Sequence, residues 1–179
     1  MYSVNGSYSI ENRNSYTPMQ PEKQHPEFAG APSQTLMLTD SIESRRENIA
    51  RVEAALEAIC TDANIAKKRV FFITLATSEA LCNIIEHGYA FETGHQIDIA
   101  VYRTPNNTLE VALSDNAREM PPPLVTKLTS RHCQMPDTDT SLEQLPESNW
   151  GTNLIGHTTS EVRYDRTDGK NHLTLCFTL

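Results

Sequence analysis

Glu79, Asn83 and His87 follow one another at steps of four residues in the segment from Ser78 to His87. On an α-helix that spacing stacks the three side chains on one face. Leu81, Ile84 and Ile85, which lie between them, are apolar and point elsewhere. A polar stripe on an otherwise buried helix needs a partner, because unpaired buried polar groups are costly. A metal-phosphate ligand is one such partner; a partly exposed helix face without chemistry is the alternative. The side chains suit the ligand. Glutamate accepts a proton from a hydroxyl or a water. Asparagine offers a neutral carbonyl oxygen, which suits a Mg²⁺ whose charge is met by phosphates.

The elements that must carry this stripe are legible in outline. A helix from about Ile65 to Tyr89 contains it, and Val70, Phe71, Phe72, Ile73, Leu75 and Leu81 make that helix apolar on more than one side, hence central. Gly88 and the Thr93-Gly94 pair end it. Before it, Thr35 to Leu38 reads as a short strand. Thr39 or Asp40 then caps a first helix, with Glu43 placed for a capping box. Ile42, Ile49, Val52, Leu56 and Ile59 form the apolar stripe of that helix, which ends near Cys60. The stripe suits core packing, with a dimer seam as the other possibility.

After the central helix, Ile97, Ile99 and Val101 alternate with polar or small residues, and Leu109, Val111 and Leu113 do the same beyond a Pro105-Asn106-Asn107 turn. The return strand delivers Ser114-Asp115-Asn116-Ala117 to its end, where a ligand site is expected. From Met120 to Trp150 the periodicity is poor and prolines break it, so about 120–150 is expected to be a lid-like loop. Gly151-Thr152-Asn153 opens a short helix; Glu161 to Arg166 and His172 to Leu179 are strands around a Thr167-Asp168-Gly169-Lys170 turn. The order of elements predicts an α+β two-layer sandwich, a mixed, mostly antiparallel sheet with helices on one face.

Composition bounds the function. The 179 residues suit one domain, here residues 34–179, preceded by a tail over 1–33 rich in Ser, Asn, Tyr, Pro and Gln. That tail is expected to be disordered or loosely docked, either a partner-binding arm or a dispensable extension. A net charge of -8 argues against a nucleic-acid binder, though not against a nucleotide ligand. Cys60, Cys82, Cys133 and Cys176 make no C-x-x-C pair and no zinc spacing, as expected of a chain in a reducing cytoplasm. The N-terminus has neither a basic n-region nor an apolar h-region, so no secretory signal is expected, and no apolar run is long enough for a membrane span.

An E-x-x-x-N helix, an aspartate just after a strand, and a glycine turn opening a helix after a lid-like loop stand in that order. Together they resemble the GHKL, or Bergerat-fold, ATP-binding domain. The resemblance covers about Leu36 to Leu179. Three phrases carry it further: Ser78 to Tyr89, Glu161-Val162-Arg163-Tyr164, and His172-Leu173-Thr174-Leu175. These are similar to the anti-sigma-factor serine kinases.

The resemblance implies ATP and Mg²⁺ as cofactors and assigns roles. Glu79 would be the general base for the serine hydroxyl of a protein substrate. Asn83 would bind Mg²⁺, and His87 would sit by the phosphates or pack beneath them. Asp115 would accept the adenine amino group; a carboxylate only accepts, so the carbonyl of guanine would face another acceptor. Ala117 would lie where backbone meets base, and Thr174 would support the adenine through its hydroxyl. Gly151, with Thr152 and Asn153, would bring backbone N–H groups to the phosphates. The implied partners are a STAS-type anti-anti-sigma protein, a sigma factor and a second copy of the chain, with no nucleic acid and no membrane. Two positions depart from the family pattern: Ala117 replaces the glycine of D-x-G, and Asn149 the first glycine of G-x-G-L. Three functions therefore stand: an ATP-dependent serine kinase, a partner-binding module of the same fold without kinase activity, and a stand-alone ATPase subunit.

Overall fold

Period-two alternation builds the sheet. On β2 (Gln96–Arg103), Ile97, Ile99 and Val101 share one face; on β3 (Thr108–Asp115) so do Leu109, Val111 and Leu113. Val101 stands opposite Val111 and Ile99 opposite Leu113. Across the other side of β3, Leu113, Val111 and Leu109 meet Leu173, Leu175 and Phe177 of β5 (Lys170–Thr178). These side chains are at most 4% exposed and form the floor of the core. The computed structural model describes residues 34–130 and 150–179. Its five strands run in the order β1-β2-β3-β5-β4.

Every neighbouring pair is antiparallel, so the sheet is not mixed as expected. The reason lies in the connections. Between β1 (Thr35–Glu43) and β2 the chain makes two helices, α1 (Ile49–Asp62) and α2 (Lys67–Asn83). Out and back, they return it to the end it left, where Ser44 N–H donates to the His95 carbonyl at 2.8 Å. One crossover helix would have given a parallel neighbour. The remaining pairs close by hairpins. Asn107 takes a left-handed φ of 58° in one; Asp168 at 51° and Gly169 at 81° make the two-residue turn between β4 (Glu161–Thr167) and β5.

The helices cover the inner face. Ile49, Val52, Leu56 and Cys60 of α1, and Val70, Ile73, Ala76, Ala80 and Leu81 of α2, join the strand residues in one core. Thr74 and Thr77, also buried, donate their hydroxyls to the carbonyls of Val70 and Ile73, each at 2.8 Å. Phe71 is 60% exposed, so α2 is not apolar all round.

Three elements differ from the sequence reading. First, β1 continues to Glu43 and no helix starts at Thr39 or Asp40. Ile42 fits both periods, and pairing with β2 decides between them. It stands opposite Ile97 and is 1% exposed, while Ser41 Oγ donates to Asp98 at 2.8 Å. Second, the central helix ends as a π-turn (Ile84–Gly88), and the left-handed residues that turn the chain away are Ala90 and Phe91, not Gly88. Third, part of the expected lid is a helix, α3 (Pro122–Thr129), with Leu128 buried. Prolines at the first helical positions give up only N–H groups that a helix start leaves unpaired, so the Pro run begins an element rather than preventing one. The tail over 1–33 and the remainder of the lid over 131–149 lie outside the described residues.

Leu56 of α1 is fully buried in the core. Leu56→Ala is expected to lower unfolding free energy by about 3 kcal/mol in a urea titration. A loss under about 1 kcal/mol would contradict the packing described.

Candidate functional site

A cavity of about 480 Å³ opens between the C-terminal half of α2, the loop after β3, and α3. Its wall is largely apolar: Leu124 and Leu128 of α3, Ile155 of α4 (Trp150–Thr158) and Leu173 of β5. Polar groups reach it from two sides, as in small-molecule sites generally. Asn83, Glu86 and His87 come from the helix and its π-turn; Asp115, Tyr164 and Asn171 come from the sheet. Such π-turns recur at functional sites. His87 is exposed at the rim, and Glu86 is ion-paired with Arg46.

Asp115 is the buried acid of the site, 4% exposed at the end of β3. Its Oδ1 accepts two hydrogen bonds of 2.8 Å, from the Ala117 backbone N–H and from Asn171 Nδ2. Its Oδ2 makes none among the described residues. Burial pushes the Asp115 carboxyl above its ordinary value; the bonds from Asn171 and Ala117 and the charges of Arg166 and His172 oppose that. The folded state therefore holds this proton more tightly than the unfolded one. Ionising Asp115 as pH rises through that window lowers stability.

The loop that follows is pinned at Asn116, Ala117, Arg118 and Met120. Asn116 N–H donates to the Tyr89 hydroxyl at 3.0 Å, Arg118 N–H to the Gly88 carbonyl at 3.3 Å, and Met120 N–H to the Tyr164 hydroxyl at 3.0 Å. Arg166 donates to the Ala117 carbonyl at 3.1 Å. Ala117 itself is 4% exposed. A Cβ added to Gly88 would come within 2.8 Å of the Ala117 Cβ. Gly88 thus supplies the space that Ala117 fills.

Glu79 and Asn83 lie one turn apart on α2, both half-buried, with Asn83 in the cavity wall. Glu79 makes no hydrogen bond among the described residues. Its carboxylate lies over Gly151 in the first turn of α4; a Cβ there would stand 2.4 Å from Glu79 Oε2. Gly151 was expected to bring backbone N–H groups to a phosphate. What the structure gives it is room for the Glu79 carboxylate. Thr152 is buried and Asn153 half-buried beside it, and neither lines the cavity.

Thr174 is a correction. Strand alternation turns Asn171, Leu173 and Leu175 inward, so Thr174 faces the other side of the sheet, opposite Ala112. The β5 residue that meets Asp115, in register and by hydrogen bond, is Asn171. Sequence reasoning missed it, together with Tyr164 and Arg166. The signal available was the same alternation, counted back from Leu173 across the hairpin.

A buried acceptor at the floor of an apolar cavity, with Asn83 in the opposite wall, gives an α+β sandwich a site suited to a small molecule. The family model for the histidine kinase-like ATPase domain matches residues 42–177, and the chain belongs to that family. The resemblance carried by Ser78 to Tyr89 is borne out at that level. The chain is 33% identical over 106 residues to the serine/threonine-protein kinase BtrW of Bordetella bronchiseptica, covering 59% of this chain and 68% of that one. The solved structure of the RsbU and RsbW domains of a Mycobacterium tuberculosis protein shares the fold, with a TM-score of 0.52 at 18% identity. That match covers 79% of this chain and about a third (32%) of the other.

The Gly88–Ala117 contact is testable alone. Gly88→Ala is expected to lower stability by about 1–3 kcal/mol in thermal unfolding, because neither backbone can give way freely. Adding Ala117→Gly should restore most of it. A neutral Gly88→Ala, or a double variant no better than the single, would contradict the fit.

Proposed function

We propose that this protein is an ATP-dependent protein serine kinase that phosphorylates a STAS-type anti-anti-sigma protein and alternates between that partner and a sigma factor. The observation that carries the reading is Asn83 in one wall of the cavity, with Glu79 one turn before it on α2, and the buried carboxylate of Asp115, bonded at one oxygen, in the other wall. The kinase name of the Bordetella relative supports it. The RsbW-type fold match supports a domain of this shape.

In this reading the adenine enters the apolar end and gives its 6-amino hydrogen to Asp115 Oδ2. The phosphates lie toward Asn83 and His87. Mg²⁺, when bound, neutralises phosphate charge and holds the transferring group for attack. Among the described residues no three His, Cys, Asp or Glu side chains converge. A cation would thus take the Asn83 carbonyl oxygen from this chain and its other ligands from phosphate and water, as Mg²⁺ prefers. Glu79 takes the proton of the substrate serine as its oxygen attacks the γ-phosphorus; the bond to the β-phosphate oxygen breaks and ADP leaves. Gly151 keeps the Glu79 carboxylate in place without a side chain of its own to displace it.

The competing reading, a module that binds partners without transferring phosphate, rested on Ala117 and Asn149. Asn149 lies outside the described residues. Ala117 is accommodated by Gly88 and leaves the cavity open, which favours the kinase. No helix among the described residues is long and apolar enough to cross a membrane. A cytoplasmic homodimer is the assembly we propose.

Glu79→Gln is expected to keep ATP affinity and cut phosphate transfer to the partner by at least about a hundredfold, since an amide takes no proton. Transfer from labelled ATP and calorimetric binding measure the two separately. Wild-type transfer would remove Glu79 from the mechanism. Asn83→Ala should abolish the part of the ATP affinity that depends on Mg²⁺, measured with and without the metal. An unchanged Mg²⁺ increment would show that Asn83 is not a ligand.

A further inference from the structure

Asn171 is 5% exposed, and both ends of its amide are engaged. Nδ2 donates to Asp115 Oδ1 at 2.8 Å and to the Ala117 and Arg118 carbonyls at 3.2 and 3.3 Å. Oδ1 accepts from the Tyr164 hydroxyl at 2.8 Å and from Arg166 Nη1. This orientation is fixed by chemistry. Turned over, the amide oxygen would face three acceptors, and the amide nitrogen would face a guanidinium that can only donate.

We propose that Asn171 is a positioning residue that sets the selectivity of the cavity for a ligand amine. It does so by occupying one oxygen of Asp115 and leaving the other as a pure acceptor. The proposal rests on the adenine-nucleotide reading above and adds a determinant to it. Asp115 alone does not guarantee selectivity. A buried carboxyl that takes up a proton becomes a donor, and a donor welcomes the 6-oxo group of hypoxanthine or guanine as readily as an acceptor welcomes the 6-amino group of adenine. Burial drives Asp115 toward that state, and the Asn171 bond is the largest influence against it. The other groups whose charge or ionisation bears on Asp115 are Arg166 on β4, His172 on the opposite face of β5, and the Tyr89 phenol. Among the described residues only Asn171 and the Ala117 N–H donate to the carboxylate.

Tyr164 and Arg166 belong to the same device. Their donors meet at Asn171 Oδ1 and hold the amide with its nitrogen toward Asp115. The Tyr164 hydroxyl also accepts from Met120 N–H, and Arg166 also binds the Ala117 carbonyl. The selectivity group is therefore tied to the loop that frames the cavity.

The test is calorimetric titration of the full chain with ADP and with inosine diphosphate from pH 5.5 to 8.5. Wild type should favour ADP by at least about tenfold, with a ratio nearly flat in pH. Asn171→Asp keeps the shape and the acceptors for Tyr164 and Arg166, but sets a second carboxyl against Asp115, so that the two share a proton. Its ADP preference should fall by about tenfold and fall further as pH drops. Tyr164→Phe, which keeps Asn171 but removes one of the two donors that orient it, should move the ratio the same way by a smaller factor. It serves where Asn171→Asp does not fold. A folded Asn171→Asp with the wild-type ratio at every pH, or an unchanged ratio in Tyr164→Phe, would overturn the role of Asn171 and leave the adenine site standing. A wild type that binds neither nucleotide, or both equally, would overturn the adenine reading and this proposal with it.

Discussion

A carboxylate buried at the floor of an apolar cavity constrains everything around it. Asp115 cannot be left in that place without donors, since an unpaired buried charge would neutralise itself or unfold its surroundings. The fold supplies two donors, from the turn after β3 and from the facing strand β5, and both go to one oxygen. The antiparallel register makes this possible: it sets Asp115 directly opposite Asn171. The loop to Met120 is then held by Tyr89, Tyr164 and Arg166, residues from both layers. The second oxygen takes no donor from the described residues and is left for a ligand amine.

Two close approaches shape the rest of the site, and each depends on an absent side chain. Gly88 makes room for Ala117, and Gly151 makes room for Glu79. In both cases the backbone angle is not the reason for glycine; among the described glycines φ is in the left-handed region only at Gly94 and Gly169. The space is. Ala117 therefore reads as one half of a size-matched pair rather than as decay of a glycine motif. The α2–α4 contact through Gly151 carries the geometry of the Glu79 carboxylate into a helix that follows the undescribed segment 131–149.

Much of this was legible in the sequence, and the failures have physical causes. Alternation marked β2, β3 and β5, because a sheet with one buried face writes its pleat into the residue order. The Glu79-Asn83-His87 stripe and Asp115 were found from spacing and position alone, and four of the expected ligand residues line the cavity: Asn83, His87, Asp115 and Ala117. The extension of β1 was missed because Ile42 satisfies helical and strand periods equally, and only pairing to β2 separates them. Helix α3 was missed because prolines read as breakers, although they suit a helix start. Asn171 was missed and Thr174 chosen because a family pattern was placed on β5 without following the pleat. The roles of Gly88 and Gly151 could not be read at all, since they depend on which residue packs opposite.

The central claim is that Asp115 receives an adenine amino group through its one free oxygen. Asp115→Asn tests it directly. The asparagine has a single oxygen, which the Ala117 N–H and Asn171 will take, so its NH₂ group is left facing the ligand. Calorimetry with ADP and inosine diphosphate should then show the preference reversed, with the hypoxanthine nucleotide bound more tightly than the adenine one. An Asp115→Asn protein that folds and still prefers ADP would contradict the account.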